Sequence, residues 1–202
     1  MTTPPNRLIL SGLLLPVLLM SRPLLAGSVH VNFEGTVTST LTINEISSGA
    51  RVHGWFEFDP NVGDSSPTDP ALGLYPAVTA AEIEVGGHSY RAGDGTLSVM
   101  NDAVIDPGNP APIDAFGLNA GPPLDGDSLS GLPPFQIEIN LGDTTASAFS
   151  DDSLPSAPDA SHFDIRSHGP SGTTGGRLHF KSVAKPTPGV VQFRIDRMQV
   201  GH

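Results

Sequence analysis

Oxygen-bearing side chains that could bind calcium follow the strand-like segment "WFEFDP" and recur near residue 100. Carboxylate and amide oxygens are the ligands that Ca²⁺ prefers in proteins. An EF-hand loop is excluded, because Pro70 stands where that motif places its bidentate glutamate. We predict either a calcium site of another type or turns in which these side chains accept backbone N–H groups. The candidate ligands are Asp59, Asn61, Asp64, Asp69, Asn101, Asp102 and Asp106.

The single tryptophan, Trp55, could stack on a sugar ring. Alternation along its strand places Trp55 on the polar face with His53 and Glu57, whereas Phe56 and Phe58 face the core. Trp55, His53 and Glu57 are therefore the candidate carbohydrate-binding residues. The alternative is that a neighbouring loop covers the indole.

Paired carboxylates could instead hydrolyse a glycosidic bond. Glu82 and Glu84 share one face of a strand, and "EIEVGG" resembles the catalytic strand of jelly-roll glucanases. Gly86 stands where that strand carries a third acid. No strand–turn–helix elbow positions a serine nucleophile, and the seven histidines, with His179 standing alone, show no metal-ligand spacing. We expect no catalysis, with a glycoside hydrolase as a distant alternative.

The charge of the chain excludes some partners. The 202 residues carry a net charge of −11, which argues against nucleic acid and anionic lipid. Between Arg91 and Arg166 there are twelve Asp or Glu and no Lys or Arg. Those acids either attract cations or keep an exported domain soluble. No cysteine is present, so packing must stabilise the chain without disulfides.

The first 28 residues have the features of an export signal. Arg7 precedes an apolar run that ends at Met20, shorter than the about 20 residues that span a membrane. Cleavage would follow Ala26 or Ser28. We expect residues 29–202 to form one exported domain, periplasmic or extracellular in a Gram-negative-type bacterium, monomeric and without a membrane span. Loss of both leader arginines would change the net charge from −11 to −13.

The remaining sequence predicts an all-β fold. Apolar and polar residues alternate without a break from Val29 to Glu45, a run too long for one regular strand, so we predict a bulge near Gly35 or Ser39. The phase also slips at Asp196-Arg197, which predicts another bulge. Strands separated by Gly-, Pro- and Asp-rich turns favour an antiparallel β-sandwich or jelly roll of about 9–11 strands. Besides the run from Val29, the predicted strands are 50–59, 80–85, 88–91, 95–101, 113–118, 134–141, 162–166, 177–183 and 190–200.

The order of several segments resembles the exported β-rich domain of bacterial PEP-CTERM proteins. These segments are the threonine-rich first strand, "GWFEFDP" with an acidic loop ending "GLYP", "IEVGGHSY", "VMND" and "FSDDSLPSAPDASHFD". The resemblance implies export and sorting to the cell surface by an exosortase in organisms that make exopolysaccharide. The family's Pro-Glu-Pro tail is not found before His202, so we expect either a truncated chain or a tailless relative.

These observations lead to one functional expectation. We expect a secreted, non-catalytic structural or adhesive module of the extracellular matrix or cell envelope, with exopolysaccharide or other envelope components as partners. The first alternative is a calcium-assisted carbohydrate-binding domain.

Overall fold

The structure is a computed structural model that describes residues 27–104, 111–166 and 175–201. Ten strands and one 3₁₀ turn, at Ala160–His162, make up its regular structure, which confirms the predicted all-β class and strand number. Residues 1–26 of the predicted signal and Asp106 lie outside the described residues. The strands are β1 (Val29–Leu41), β2 (Arg51–Phe58), β3 (Leu72–Val85), β4 (His88–Ala92), β5 (Gly95–Ala103), β6 (Ile113–Ala120), β7 (Asp125–Gly126), β8 (Pro134–Asp143), β9 (Gly175–Ser182) and β10 (Lys185–Val200).

All ten strands belong to one antiparallel sheet in the order β2-β1-β10-β9-β8-β6-β5-β3-β4-β7. An additional pairing between β2 and β3 brings the sheet back onto itself, so it curves like a ring. β3 makes this possible because its first part pairs with β5 and its second part lies between β2 and β4. The two layers expected of a sandwich are thus opposite walls of one continuous sheet.

The inner face of the sheet forms a single apolar core. Aromatic rings meet across it: the centroids of Phe56 on β2 and Phe116 on β6 are 6.4 Å apart. Tyr90 on β4 meets the edge of Phe180 on β9 at 5.4 Å. Because these strands are not neighbours in the sheet, the contacts join facing walls.

The predicted bulges are present in the β1–β10 pair. Glu34 pairs with Arg197 and Gly35 with Ile195, which leaves Asp196 as the extra residue. A second shift lies between Val37 and Ser39. This shift turns the end of β1 over, so Leu41 is 54% exposed instead of facing the core as the alternation predicts.

Two strand assignments are corrected. β3 begins at Leu72, eight residues before the predicted start. Pro76 does not interrupt the strand, because it lies in an irregular stretch of the β3–β5 pairing where no ladder hydrogen bond requires its missing N–H. The strand predicted at 162–166 is absent: the chain there leaves the 3₁₀ turn and makes one isolated bridge, between Gly142 and Ile165.

Two aspartates lie buried at one end of the core. Asp114 on β6 and Asp143 on β8 face each other in register and are 0% and 3% exposed. Asp114 accepts the backbone N–H groups of Asp102 and Phe149, at 2.9 and 2.8 Å. It therefore ties the end of β5 to the loop that follows β8.

Asp143 closes the turn that follows its own strand. Its two carboxylate oxygens accept the backbone N–H groups of Thr145 and Ser147, at 2.9 and 2.8 Å, and both hydroxyl groups. Burial raises the pKa of Asp143, but these hydrogen bonds outweigh burial and lower the pKa to about 2. The charged carboxylate is thus part of the folded structure.

We predict that Asp143→Asn lowers the free energy of unfolding by about 1–3 kcal/mol, because an amide NH₂ group must face a backbone N–H. The lowered pKa makes the wild-type contribution fully present above about pH 4 and lost as the pH falls toward 2. Urea unfolding between pH 7 and 2.5 measures both effects. Asp125→Asn, at an exposed site, is the control. Equal losses in the two variants would contradict the prediction.

A second prediction concerns Tyr90, which is fully buried and whose hydroxyl group lacks a hydrogen-bond partner in the described part of the chain. Tyr90→Phe should leave stability unchanged or raise it by up to about 1–3 kcal/mol, because the ring stays and an unsatisfied group is removed. Tyr75→Phe is the matched control, since the Tyr75 hydroxyl donates to the Asp152 carbonyl at 2.8 Å and its loss should destabilise. Destabilisation by Tyr90→Phe would show that the hydroxyl has a partner.

Candidate carbohydrate-binding face

The pairing of the first three strands places Trp55 in the middle of a polar row. Asn32 on β1 lies opposite Trp55 on β2, and Trp55 lies opposite Glu82 on β3. Phe56 and Phe58 of β2 are fully buried, as predicted, so Trp55 points to the outer face with His53 and Glu57. The outer face of β1, β2 and β3 is called the Trp55 face below.

A cleft of about 230 Å³ lies on the Trp55 face. Its floor is Gly54, where a Cβ atom would meet the Phe33 ring at 2.2 Å, so no larger residue fits between the cleft and the core. The cleft is lined by Asn32, His53, Gly54, Trp55, Glu82 and Glu84. An aromatic edge beside amide, imidazole and carboxylate groups offers both stacking and hydrogen bonding to a sugar.

His30 fixes the position of the indole. The His30 and Trp55 rings stack with centroids 5.2 Å apart and planes at 24°. Nδ1 of His30 lies 3.1 Å from the Glu57 carboxylate, so Glu57 orients His30 and does not line the cleft. Trp55 is half-buried, and His30 of the neighbouring strand β1 covers part of the indole.

Glu82 is engaged by β4. Its carboxylate accepts hydrogen bonds from Ser89 Oγ at 2.6 Å and Arg91 Nη2 at 3.1 Å. The bonds from Arg91 and Ser89 outweigh the opposing effect of burial and lower the pKa of Glu82. A glycosidase needs one carboxyl group with a raised pKa as its general acid. The surroundings of Glu82 therefore do not suit the role of general acid.

The acidic loop after β2 uses its carboxylates to form turns. Oδ1 of Asp59 accepts the N–H of Asn61 at 2.9 Å, and Oδ1 of Asp69 accepts the N–H of Ala71 at 3.1 Å. Oδ1 of Asp64 accepts the N–H of Ser66 and, across the loop, that of Leu74, each at 2.8 Å. This is the turn chemistry that the sequence offered as the alternative to a calcium site.

Asn101 and Asp102 lie in β5, outside that loop. The Asn101 N–H donates to the Ala71 carbonyl, which holds the end of the loop against β5. Within residues 27–104, 111–166 and 175–201, no three His, Asp or Glu side chains converge in a way that could hold a metal ion. The calcium site stays a prediction.

A polar cluster that the sequence did not reveal lies on the outer face of β8 and β9. The Glu138 carboxylate lies 2.8 Å from His179 Nε2 and 3.1 Å from Arg177 Nη1, and all three side chains are mostly buried. Burial raises the pKa of Glu138, but His179 and Arg177 outweigh it and the pKa is lowered. The sequence suggests that His179 stands alone; the β8–β9 register brings Glu138 beside it.

The chain matches no family model, no curated protein and no solved structure at a significant level. The resemblance to PEP-CTERM proteins therefore stays a prediction. In the described part of the chain, no helix has the length and apolar character to cross a membrane.

We expect millimolar Ca²⁺ to leave the melting midpoint unchanged, because backbone N–H groups already close the acidic loop. An ion at 100 times its Kd would add about 2.7 kcal/mol. Thermal melts with calcium and with a chelator measure the difference. A calcium-dependent rise that Asp64→Asn abolishes, and that Asp125→Asn leaves intact, would establish the calcium site instead.

Proposed function

We propose that this protein is a non-catalytic, exported adhesive module that binds the carbohydrate of the extracellular matrix or cell envelope through the Trp55 face. The single observation that carries the proposal is the half-buried indole beside the cleft of about 230 Å³. Aromatic stacking and a few oriented polar groups are the usual means by which proteins hold sugar rings.

The way the indole is held supports binding. His30 stacks against Trp55 and is itself held by Glu57, so the indole has little rotational freedom left to lose. A side chain that is ordered before the ligand arrives binds at a smaller entropic cost.

The polar side of the cleft is also fixed in place. Ser89 and Arg91 orient the Glu82 carboxylate, and Asn32 adds an amide. These groups accept and donate hydrogen bonds, which suits the hydroxyl groups of a neutral sugar. Glu84 beside them carries a further negative charge and makes the cleft unfavourable for an anionic sugar.

Export is part of the proposal and is supported by the sequence. The apolar segment after Arg7 and the acidic, cysteine-free composition are consistent with a module that acts outside the cytoplasm. The resemblance to PEP-CTERM proteins favours exopolysaccharide as the carbohydrate.

Affinity electrophoresis in gels that contain neutral polysaccharides such as dextran or cellulose derivatives tests the proposal. We expect retardation of the wild type, loss of about tenfold in affinity in Trp55→Ala, and partial retention in Trp55→Phe, which keeps a ring. A change of that size corresponds to one stacking contact.

Val104→Ala is the control, because Val104 is exposed and follows β5, outside the Trp55 face. Melting midpoints of all variants show whether they fold. Equal retardation of the wild type and Trp55→Ala, or no retardation in any neutral polysaccharide, would refute carbohydrate binding at the Trp55 face.

A further inference from the structure

The positive charges of the chain are concentrated in its last two strands. Residues 166–202 contain six Lys or Arg and a single acid, Asp196, although the whole chain has 21 acids and a net charge of −11. β9 and β10 are neighbours in the sheet, so this stretch forms a basic region on an acidic protein. Such an asymmetry favours an anionic partner at that region.

A cavity lies beside this region. It has a volume of about 540 Å³ and lies between the start of β8 and the β9–β10 hairpin. Its walls include Phe135, His179, Lys181, Val183, Pro186 and Pro188. The volume is within the range of small-ligand sites, and the walls offer flat apolar surfaces.

Lys181 supplies the charge of the cavity. Its ammonium group lies 5.2 Å from the centroid of the Phe135 ring and makes no ion pair with an acid of the described residues. A cation above an aromatic ring keeps most of its capacity for an anionic group. The cavity thus combines an aromatic surface with an ammonium group that can donate hydrogen bonds to a carboxylate.

The strands around the cavity leave little backbone free for a peptide. β8 is paired with both β6 and β9, and β9 with both β8 and β10. A peptide that adds a strand needs an open sheet edge. A ligand in this cavity is instead recognised by side chains, which suits a ring that stacks on Phe135 and the prolines.

We propose that this cavity is a second carbohydrate site, specific for sugars that carry a carboxylate, as in polyuronic acids. Lys181 binds the carboxylate, Phe135 stacks on the ring, and Gln136 and Ser182, which also line the cavity, hydrogen-bond to hydroxyl groups. The site is separate from the Trp55 face, because Asn32 of that face pairs with Gln199 near the end of β10, whereas Pro186 and Pro188 lie at the start of β10. It does not depend on carbohydrate binding at Trp55.

Isothermal titration calorimetry with the full chain tests the site, with tetragalacturonate, the neutral maltotetraose and tetraglutamate as probes. We expect tetragalacturonate to bind most tightly, and Lys181→Gln to weaken it about tenfold through loss of a charged contact. Phe135→Ala should weaken it as well. Arg197→Gln removes the same charge from an exposed part of β10 and should leave the affinity unchanged.

Trp55→Ala separates the two sites: it should leave tetragalacturonate binding intact whether or not the Trp55 face binds neutral sugars. Melting midpoints confirm folding, and the exposed position of Lys181 keeps its variant informative even if Phe135→Ala unfolds. Absence of tetragalacturonate binding would overturn the proposal. Equal weakening by Lys181→Gln and Arg197→Gln would also overturn it, because that result indicates general charge attraction. Tetraglutamate binding as tight as tetragalacturonate binding would overturn it too, because it shows that the sugar ring is not recognised.

Discussion

The antiparallel pairing between β2 and β3 closes the sheet and so fixes both its interior and its outer surface. It joins two strands that would otherwise lie far apart in the sheet order, and so brings the sheet back onto itself. With that pairing, the inner faces of distant strands meet, and rings such as Phe56 and Phe116 fill the interior. It also removes an open edge from β2, which would otherwise be free to pair with another chain.

The same pairing forms the Trp55 face. Residues 32, 55 and 82 become neighbours only because β1, β2 and β3 lie side by side in one register. A shift of one residue would send Trp55 into the core and Phe56 into solvent. The fold and the proposed carbohydrate site therefore depend on one set of backbone hydrogen bonds.

The two buried aspartates of the fold are satisfied by backbone N–H groups. Asp114 and Asp143 lie opposite each other at one end of the core, an unfavourable place for two like charges. The negative charge of each carboxylate is stabilised by backbone N–H donors of adjoining segments, and the same hydrogen bonds order those segments. On the outer face, charges differ by strand: acids lie around Trp55, whereas Lys181 lies beside an apolar cavity. The sheet thus presents two chemically different surfaces.

Local sequence patterns were enough to predict the class of structure and much of its detail. Period-two alternation predicted that Phe56 and Phe58 face inward and Trp55 outward, and the loss of phase located the bulge at Asp196. It could not place residues 72–79 in a strand, because Pro76 and the nearby glycine are typical of turns. It located the bulge near Ser39 but not the exposure of Leu41 that results from it, and it missed the contact between Glu138 and His179. Alternation is a local property of extended chain. Strand register, closure of the sheet and the neighbours of each outward side chain depend on residues far apart in sequence, so they are set when the chain folds.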